Sequence, residues 1–292
     1  VKELLAAGRA PLREARLAAR LAHPHVAAVH DVVVTTGTVW VVQQLVRARS
    51  LAALIEDRGP LSVPAAIRLG RQVLAALRAV HAAGVLHLDV KPGNILVTPR
   101  GRAVLTDFGV STTLAEAGDP PSGAVRGTPA YVAPERILGE PSTEKTDLWS
   151  LGATLYCAVE GRGPFGAGTG AATLWAAVNR PPDPFRLAGA LAPVISGLLA
   201  KDPADRPDAV EALARLDRLA ALCGAASGME DAHPAGPDEE PQDDQDDPPQ
   251  QLTAGQDHVD PGDDENDGDD PQQSTHETPT ALGVTRLTEA AV

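Results

Sequence analysis

At 292 residues, with 43% hydrophobic side chains, the chain is long enough for one large domain or two small ones and can bury a sizeable core. Its net charge of −14 is unevenly spread: from Gly224 onward 19 Asp and Glu face one basic residue, Arg286, whereas the first 223 residues carry 20 acidic and 24 basic residues. The mildly basic part has no basic stripe of the kind that grips nucleic acid, two cysteines define neither a disulfide framework nor a zinc site, and no apolar run approaches the ~18 residues of a membrane span.

Val1-Lys2-Glu3 is followed by a helical pattern from Leu12 to Leu21, with Arg and Glu interleaved, which Pro24 stops. Val26 to Val34 and Val39 to Val46 are β-branched runs around Thr35-Thr36-Gly37-Thr38, a hairpin signal. Ser50 to Asp57 predicts a short helix capped by Ser50. Ser62 to Ala83 predicts a long one, with Pro64 in its first turn, Gly84 just past its end, and a core-facing stripe of Ile67, Val73, Leu74, Leu77 and Val80. His81, like His23 and His25, has no Cys or acidic partner at ligand spacing and reads as structural or solvated.

Farther along, Val110 to Arg126 is rich in Ser, Thr, Gly and Pro and is expected to be a mobile loop. Thr143 to Glu160 predicts an apolar helix in which Trp149, Leu151 and Cys157 read as core. Asp147 inside it is costly to bury unless something satisfies it. Helices are expected near Thr173–Asn179 and Leu191–Leu199, and a last one opens at Pro207-Asp208 and runs through about Leu222. Beyond that, residues 223–292 are expected to form a disordered acidic tail, because so few large apolar side chains cannot offset the entropy of ordering it. Its Asp clusters lack the alternation of a calcium loop.

The chemistry concentrates between His87 and Gly109. Ile95-Leu96-Val97 and Ala103-Val104-Leu105 read as strands joined by the turn residues Thr98-Pro99-Arg100-Gly101. Asp89, Lys91 and Asn94 precede the first strand and Asp107 follows the second, so a hairpin brings the four together. A carboxylate base, an ammonium and a pair of hard oxygen ligands are what phosphoryl transfer with magnesium requires. Only four lysines (Lys2, Lys91, Lys145 and Lys201) stand against twenty-one arginines, which suggests that a compact ammonium is wanted at position 91.

The run HLDVKPGN, the triplet Asp107-Phe108-Gly109 and then Ala133-Pro134-Glu135 resemble, in order and spacing, the catalytic loop, metal loop and APE element of eukaryotic-type serine/threonine protein kinases, here of bacterial kind. The resemblance implies a two-lobed α+β kinase domain over residues 1–222, with an incomplete small β lobe and a helical large lobe. It implies transfer of the ATP γ-phosphoryl group to protein Ser and Thr hydroxyls. Asp89 is then the base, Lys91 stabilises the transferring phosphate, and Asn94 and Asp107 hold Mg2+. Lys2 contacts the ATP phosphates and pairs with Glu14, while Gln43 is the gatekeeper and Gln44 to Val46 the adenine-binding hinge. Gly127-Thr128-Pro129-Ala130-Tyr131 resembles the substrate-docking loop, with the Thr128 hydroxyl contacting Asp89 and Lys91. Asp147 accepts hydrogen bonds from the catalytic-loop backbone, and Arg206 pairs with Glu135.

The sequence departs from that pattern in places. Leu88 stands where most relatives have an arginine that pairs with a phosphorylated activation-loop residue, so phosphorylation at Thr112, Thr113, Ser122 or Thr128 is expected to matter less than usual. No glycine-rich phosphate loop occurs, and the first residue is Val: either an upstream part is missing or a non-ATG start was translated literally. Lys2 is therefore expected on a frayed terminus, and residues 1–292 are expected to bind ATP weakly. With no secretory signal, the cytoplasm is the expected location. Threonines 278, 280, 285 and 288 could, once phosphorylated, dock a phosphothreonine-binding partner, although a solubilising linker is the plainer reading. A pseudokinase scaffold is the rival class, but none of the base, metal Asp or lysine is lost. A small-molecule kinase would not be expected to show the activation segment or the APE element.

Overall fold

Two β-branched runs meet as the alternation requires: β2 (Val29–Thr35) and β3 (Thr38–Gln43) pair antiparallel, with Thr35 opposite Thr38. In this computed structural model, residues 2–4, 21–35, 38–107, 112–113, 128–166 and 168–230 are described. The helix expected from Leu12, its Glu14, most of the loop from Val110 to Arg126 and the acidic segment after residue 230 lie outside them. β1 (Lys2–Leu4) joins the free edge of β3, Lys2 opposite Val41, giving the order β1-β3-β2. The backbone of Lys2 is thus paired, not frayed: an open strand edge presents N–H and C=O groups that a neighbouring strand satisfies. β3 stops at Gln43, so Gln44 to Val46 fall outside the strand expected through Val46.

A second sheet has the order β4-β6-β7, from β4 (Arg49–Ser50), β6 (Ile95–Val97) and β7 (Ala103–Leu105). The expected β6–β7 hairpin forms, with Ile95 opposite Leu105, and turns through Gly101 at φ 75°. The segment before β2 is stitched to β7 by Leu105 N–H donating to His25 O and Ala27 N–H donating to Leu105 O, both 2.8 Å. β5 (Val85–Leu86) pairs with β8 (Thr112–Thr113).

Seven helices are described, and their ends follow local chemistry. Ser50 Oγ accepts from Ala53 N–H at the start of α1 (Leu51–Arg58). α2 (Val63–Ala82) starts with Pro64 and buries the stripe read from its periodicity, with His81 on the same face. α3 (Pro134–Leu138) ends in left-handed Gly139. At α4 (Glu144–Glu160), Thr143 and Thr146 cap each other reciprocally. α5 (Gly170–Asn179) begins earlier than expected because Thr169 caps it. α6 (Ala192–Leu198) precedes α7 (Ala209–Glu230), where Asp208 Oδ1 accepts from Val210 and Glu211 N–H, both 2.8 Å. α7 continues past Leu222 to Glu230, and the two glycines of that stretch, Gly224 and Gly228, at about 1 kcal/mol each, do not stop it.

α4 is the centre of the helical part and is buried along nearly its whole length, including Leu148, Trp149, Leu151, Leu155 and Tyr156. It packs against α2 and α6, and α2 packs against α7. A buried ion pair closes one side. Arg206 makes two 2.7 Å bonds to Glu135, and its remaining N–H groups donate to the carbonyls of Ala200, Lys145 and Lys201. Thr146 Oγ1 donates to the same carboxylate at 2.8 Å. Every guanidinium donor is therefore used, which is the condition under which a buried pair tolerates desolvation.

Helix contact in this core depends on one missing side chain. A Cβ on Gly152 would lie 2.7 Å from Leu198 Cβ, which cannot rotate away. Gly152→Ala should therefore destabilise the fold by about 1–3 kcal/mol despite alanine's better helix propensity. Urea unfolding of the variant beside the parent measures this, and an unchanged or raised midpoint would contradict it.

Candidate active site

Asp147, in the first turn of α4, has no exposed surface. Its Oδ2 accepts from His87 N–H at 2.9 Å and lies 2.8 Å from His81 Nε2, while Oδ1 accepts from Leu88 N–H at 2.7 Å. Burial alone raises its pKa, but the bond from His81 and the other donors outweigh this and hold it below the usual carboxylate value. A polar residue on the buried stripe of α2 thus finds its partner, although His81 Nδ1 has none among the described residues.

The loop held this way carries the polar cluster. Asp89 Oδ2 lies 2.9 Å from Lys91 Nζ and 2.7 Å from Asn94 Nδ2, which also donates to Asp89 O at 2.9 Å. These bonds leave the amide oxygen of Asn94 turned away from Asp89. Thr106 N–H donates to Asn94 O at 2.9 Å, so the far end of the hairpin is tied to the near end. Asp107 follows with φ 66°, a left-handed conformation uncommon outside glycine, Asn and Asp.

His87, fully buried, joins the two ends through its ring. Nδ1 accepts from Asp89 N–H at 3.2 Å and Nε2 donates to Thr106 O at 3.1 Å, which requires the neutral tautomer. Burial pushes its pKa below the ordinary value, and the charges of Asp147, Asp89 and Asp107 oppose that shift. Asp107 directly follows Thr106, whose carbonyl this ring holds and whose N–H is bonded to Asn94 O.

Other expected residues are less complete. Thr128 shares a small cleft with Leu88, Asp89, Tyr131 and Ser150, but among the described residues its hydroxyl bonds neither Asp89 nor Lys91. Gln44 is fixed on Ala28, donating its N–H to Ala28 O at 2.7 Å and accepting from Ala28 N–H at Oε1, 3.4 Å away. Its carbonyl is not engaged by these bonds, and Val46 follows on the same irregular stretch. Gln43 Oε1 accepts from Thr106 Oγ1 at 3.3 Å. The Lys2 side chain and Glu14 lie outside what is described.

Residues 3–216 match the family model described as "Protein kinase domain". The chain belongs to the protein kinase family. It is 40% identical over 178 residues to serine/threonine-protein kinase PknA of Mycobacterium tuberculosis, covering 59% of this chain and 41% of that protein. It is 39% identical over 214 residues to serine/threonine-protein kinase PkaA of Streptomyces coelicolor, covering 72% of this chain and 39% of the relative. For PknD of M. tuberculosis the figures are 38% over 200 residues, 66% and 30%. The chain thus spans about two fifths or less of the length of these relatives. No described helix is long and apolar enough to cross a membrane.

Within this kinase fold, two polar contacts escaped the sequence reading. His81 is 66 residues from Asp147, and nothing in its spacing announces the pair; only its place on a buried stripe signals the need of a partner. Arg136, directly after the APE element, donates from Nη1 to Leu88 O at 2.8 Å.

A pH dependence follows from His87. Its folded pKa lies below its ordinary 6.5, so between those two values the unfolded chain holds the extra proton and stability falls as pH drops below 6.5. Denaturation from pH 7 to 5 should show that slope, and His87→Asn should flatten it. Parallel slopes for the two proteins would contradict the assignment.

Proposed function

We propose that this kinase domain transfers the γ-phosphoryl group of ATP to Ser or Thr hydroxyls of proteins, with Asp89 as the base. The observation that carries the reading is the convergence of Lys91 and Asn94 on one oxygen of Asp89. Oδ2 is occupied by both donors, which leaves Oδ1 to accept the proton of an incoming hydroxyl. Lys91 beside it supplies positive charge where the transferring phosphate becomes more negative. Thr128 lines the same small cleft as Asp89.

Among the described residues no cluster of three His, Cys, Asp or Glu could form a metal cage by itself. That suits magnesium, which is bound through one or two protein oxygens together with substrate phosphates. Asn94, whose Nδ2 is fixed on Asp89, has its amide oxygen available, and Asp107 directly follows Thr106, whose N–H is bonded to Asn94 O. When bound there, magnesium would neutralise phosphate charge. For the nucleotide base, the Gln44 carbonyl and the Val46 backbone are the expected hydrogen-bonding edge, with Lys2 and Glu14 at the phosphates. The resemblance of the chain to bacterial serine/threonine kinases supports protein substrates.

Asp89→Asn and Asp107→Asn should each lower phosphate transfer from radiolabelled ATP to a basic protein on the order of 100-fold or more. Unchanged turnover in the Asp107 variant would remove it from metal binding.

The acidic segment offers a regulatory extension of the same activity: autophosphorylation at Thr278, Thr280, Thr285 or Thr288 would create a phosphothreonine docking motif. Phosphopeptide mapping after prolonged incubation with magnesium-ATP should recover at least one of these sites. A map empty beyond residue 230 would dispose of it.

A further inference from the structure

Leu88 is a buried apolar residue held at φ 61°, a strained conformation for a residue with a Cβ, which persists only where its surroundings hold it. Both peptides that flank it are held by charged groups. On one side, Leu88 N–H donates to Asp147 Oδ1 at 2.7 Å; on the other, Leu88 O accepts from Arg136 Nη1 at 2.8 Å. The second of these peptides is the one whose N–H belongs to Asp89, and that N–H donates to His87 Nδ1 at 3.2 Å. The orientation of the Asp89 backbone therefore depends on a guanidinium from another element, α3.

We propose that Arg136 is a positioning residue for Asp89, supplying from α3 the fixed cation that position 88 lacks. This rests on the reading of Asp89 as the base. Leu88 has no charge to balance the carboxylates around it, and Arg136 lies within the influence of Asp147, Asp89 and Glu135. The backbone of α3 from which it projects is anchored, because Glu135, the residue before it, is fixed to Arg206 by two bonds. The same network that joins α3 to the loop before α7 thus sets the position of the cation at the catalytic loop. Through the Leu88 carbonyl Arg136 orders the loop directly, in a contact that includes no phosphate.

The test uses the full chain with Arg136→Gln, Arg136→Lys and Arg136→Ala. Arg136→Gln should lower kcat by about tenfold to a hundredfold, as for a small misplacement of a reacting group, with KM for ATP within about twofold of the parent. Arg136→Lys should recover part of the loss, and added guanidinium should raise kcat of Arg136→Ala but not of Asp89→Asn. Phosphatase treatment should leave the ratio of parent to variant unchanged. Parent-like kcat, a loss confined to KM, no rescue by guanidinium, or a loss seen only in phosphorylated protein would each overturn the proposal. Amide exchange of residues 87–90, measured without substrate, should accelerate in Arg136→Gln. That readout separates the two ideas: a parent chain with no transfer activity would refute the kinase reading, whereas unchanged exchange would refute the role of Arg136.

Discussion

A carboxylate with no exposed surface is among the most expensive groups a fold can bury, and Asp147 is tolerated because its oxygens collect the N–H groups of His87 and Leu88 and the ring of His81. Those donors belong to two other parts of the chain, the end of α2 and the loop before β6. The bond set therefore fixes where the loop leaves the helical core. Everything polar at the site is built outward from there. The His87 ring passes the constraint to Asp89 on one side and to Thr106 on the other, and Asn94 closes the circuit.

The Glu135–Arg206 pair does comparable work at the next level. All of its donors are matched, and removing one partner would strand a buried charge, a loss of about 3–5 kcal/mol. Its neighbours explain an oddity of composition. Lys145 Nζ donates to the Arg206 carbonyl, and Lys201 Nζ donates to Ala177 O at 2.6 Å while lying over the rings of Phe165 and Trp149. Burial, with Arg206 nearby, pushes the Lys201 amine down to about 8. In a chain that otherwise prefers arginine, the lysines at 91, 145 and 201 each put a compact ammonium on a specific partner. Arginine's broad fork, with its five donors, would need more partners than these places offer.

Departures from sequence expectation have local causes. β3 ends at Gln43 although the Gln44 N–H still bonds Ala28 O, in register with Val29 opposite Gln43, and the chain is irregular only beyond that bond. α5 starts at Gly170 because a threonine cap outweighs the glycine after it, and α7 runs past Leu222 to Glu230, where the acidic residues begin: Gly224 to Met229 holds no charged residue.

By itself the sequence determined the local elements and the polar inventory. The β6–β7 hairpin follows from its strand runs and turn residues, the α2 stripe from its period, and the meeting of Asp89, Lys91 and Asn94 from short-range spacing. Sequence motifs also paired Glu135 with Arg206 and assigned Asp147 to the loop backbone. Only the tertiary structure decided that His81 completes the shell of Asp147, that His87 links both ends of the hairpin as a neutral ring, and that Arg136 rather than residue 88 brings the cation to the loop. Those contacts join residues 19 to 66 positions apart. Periodicity and turn chemistry act over a few residues, whereas the partner of a buried polar group is chosen by whichever element the packing of the core places within hydrogen-bonding distance.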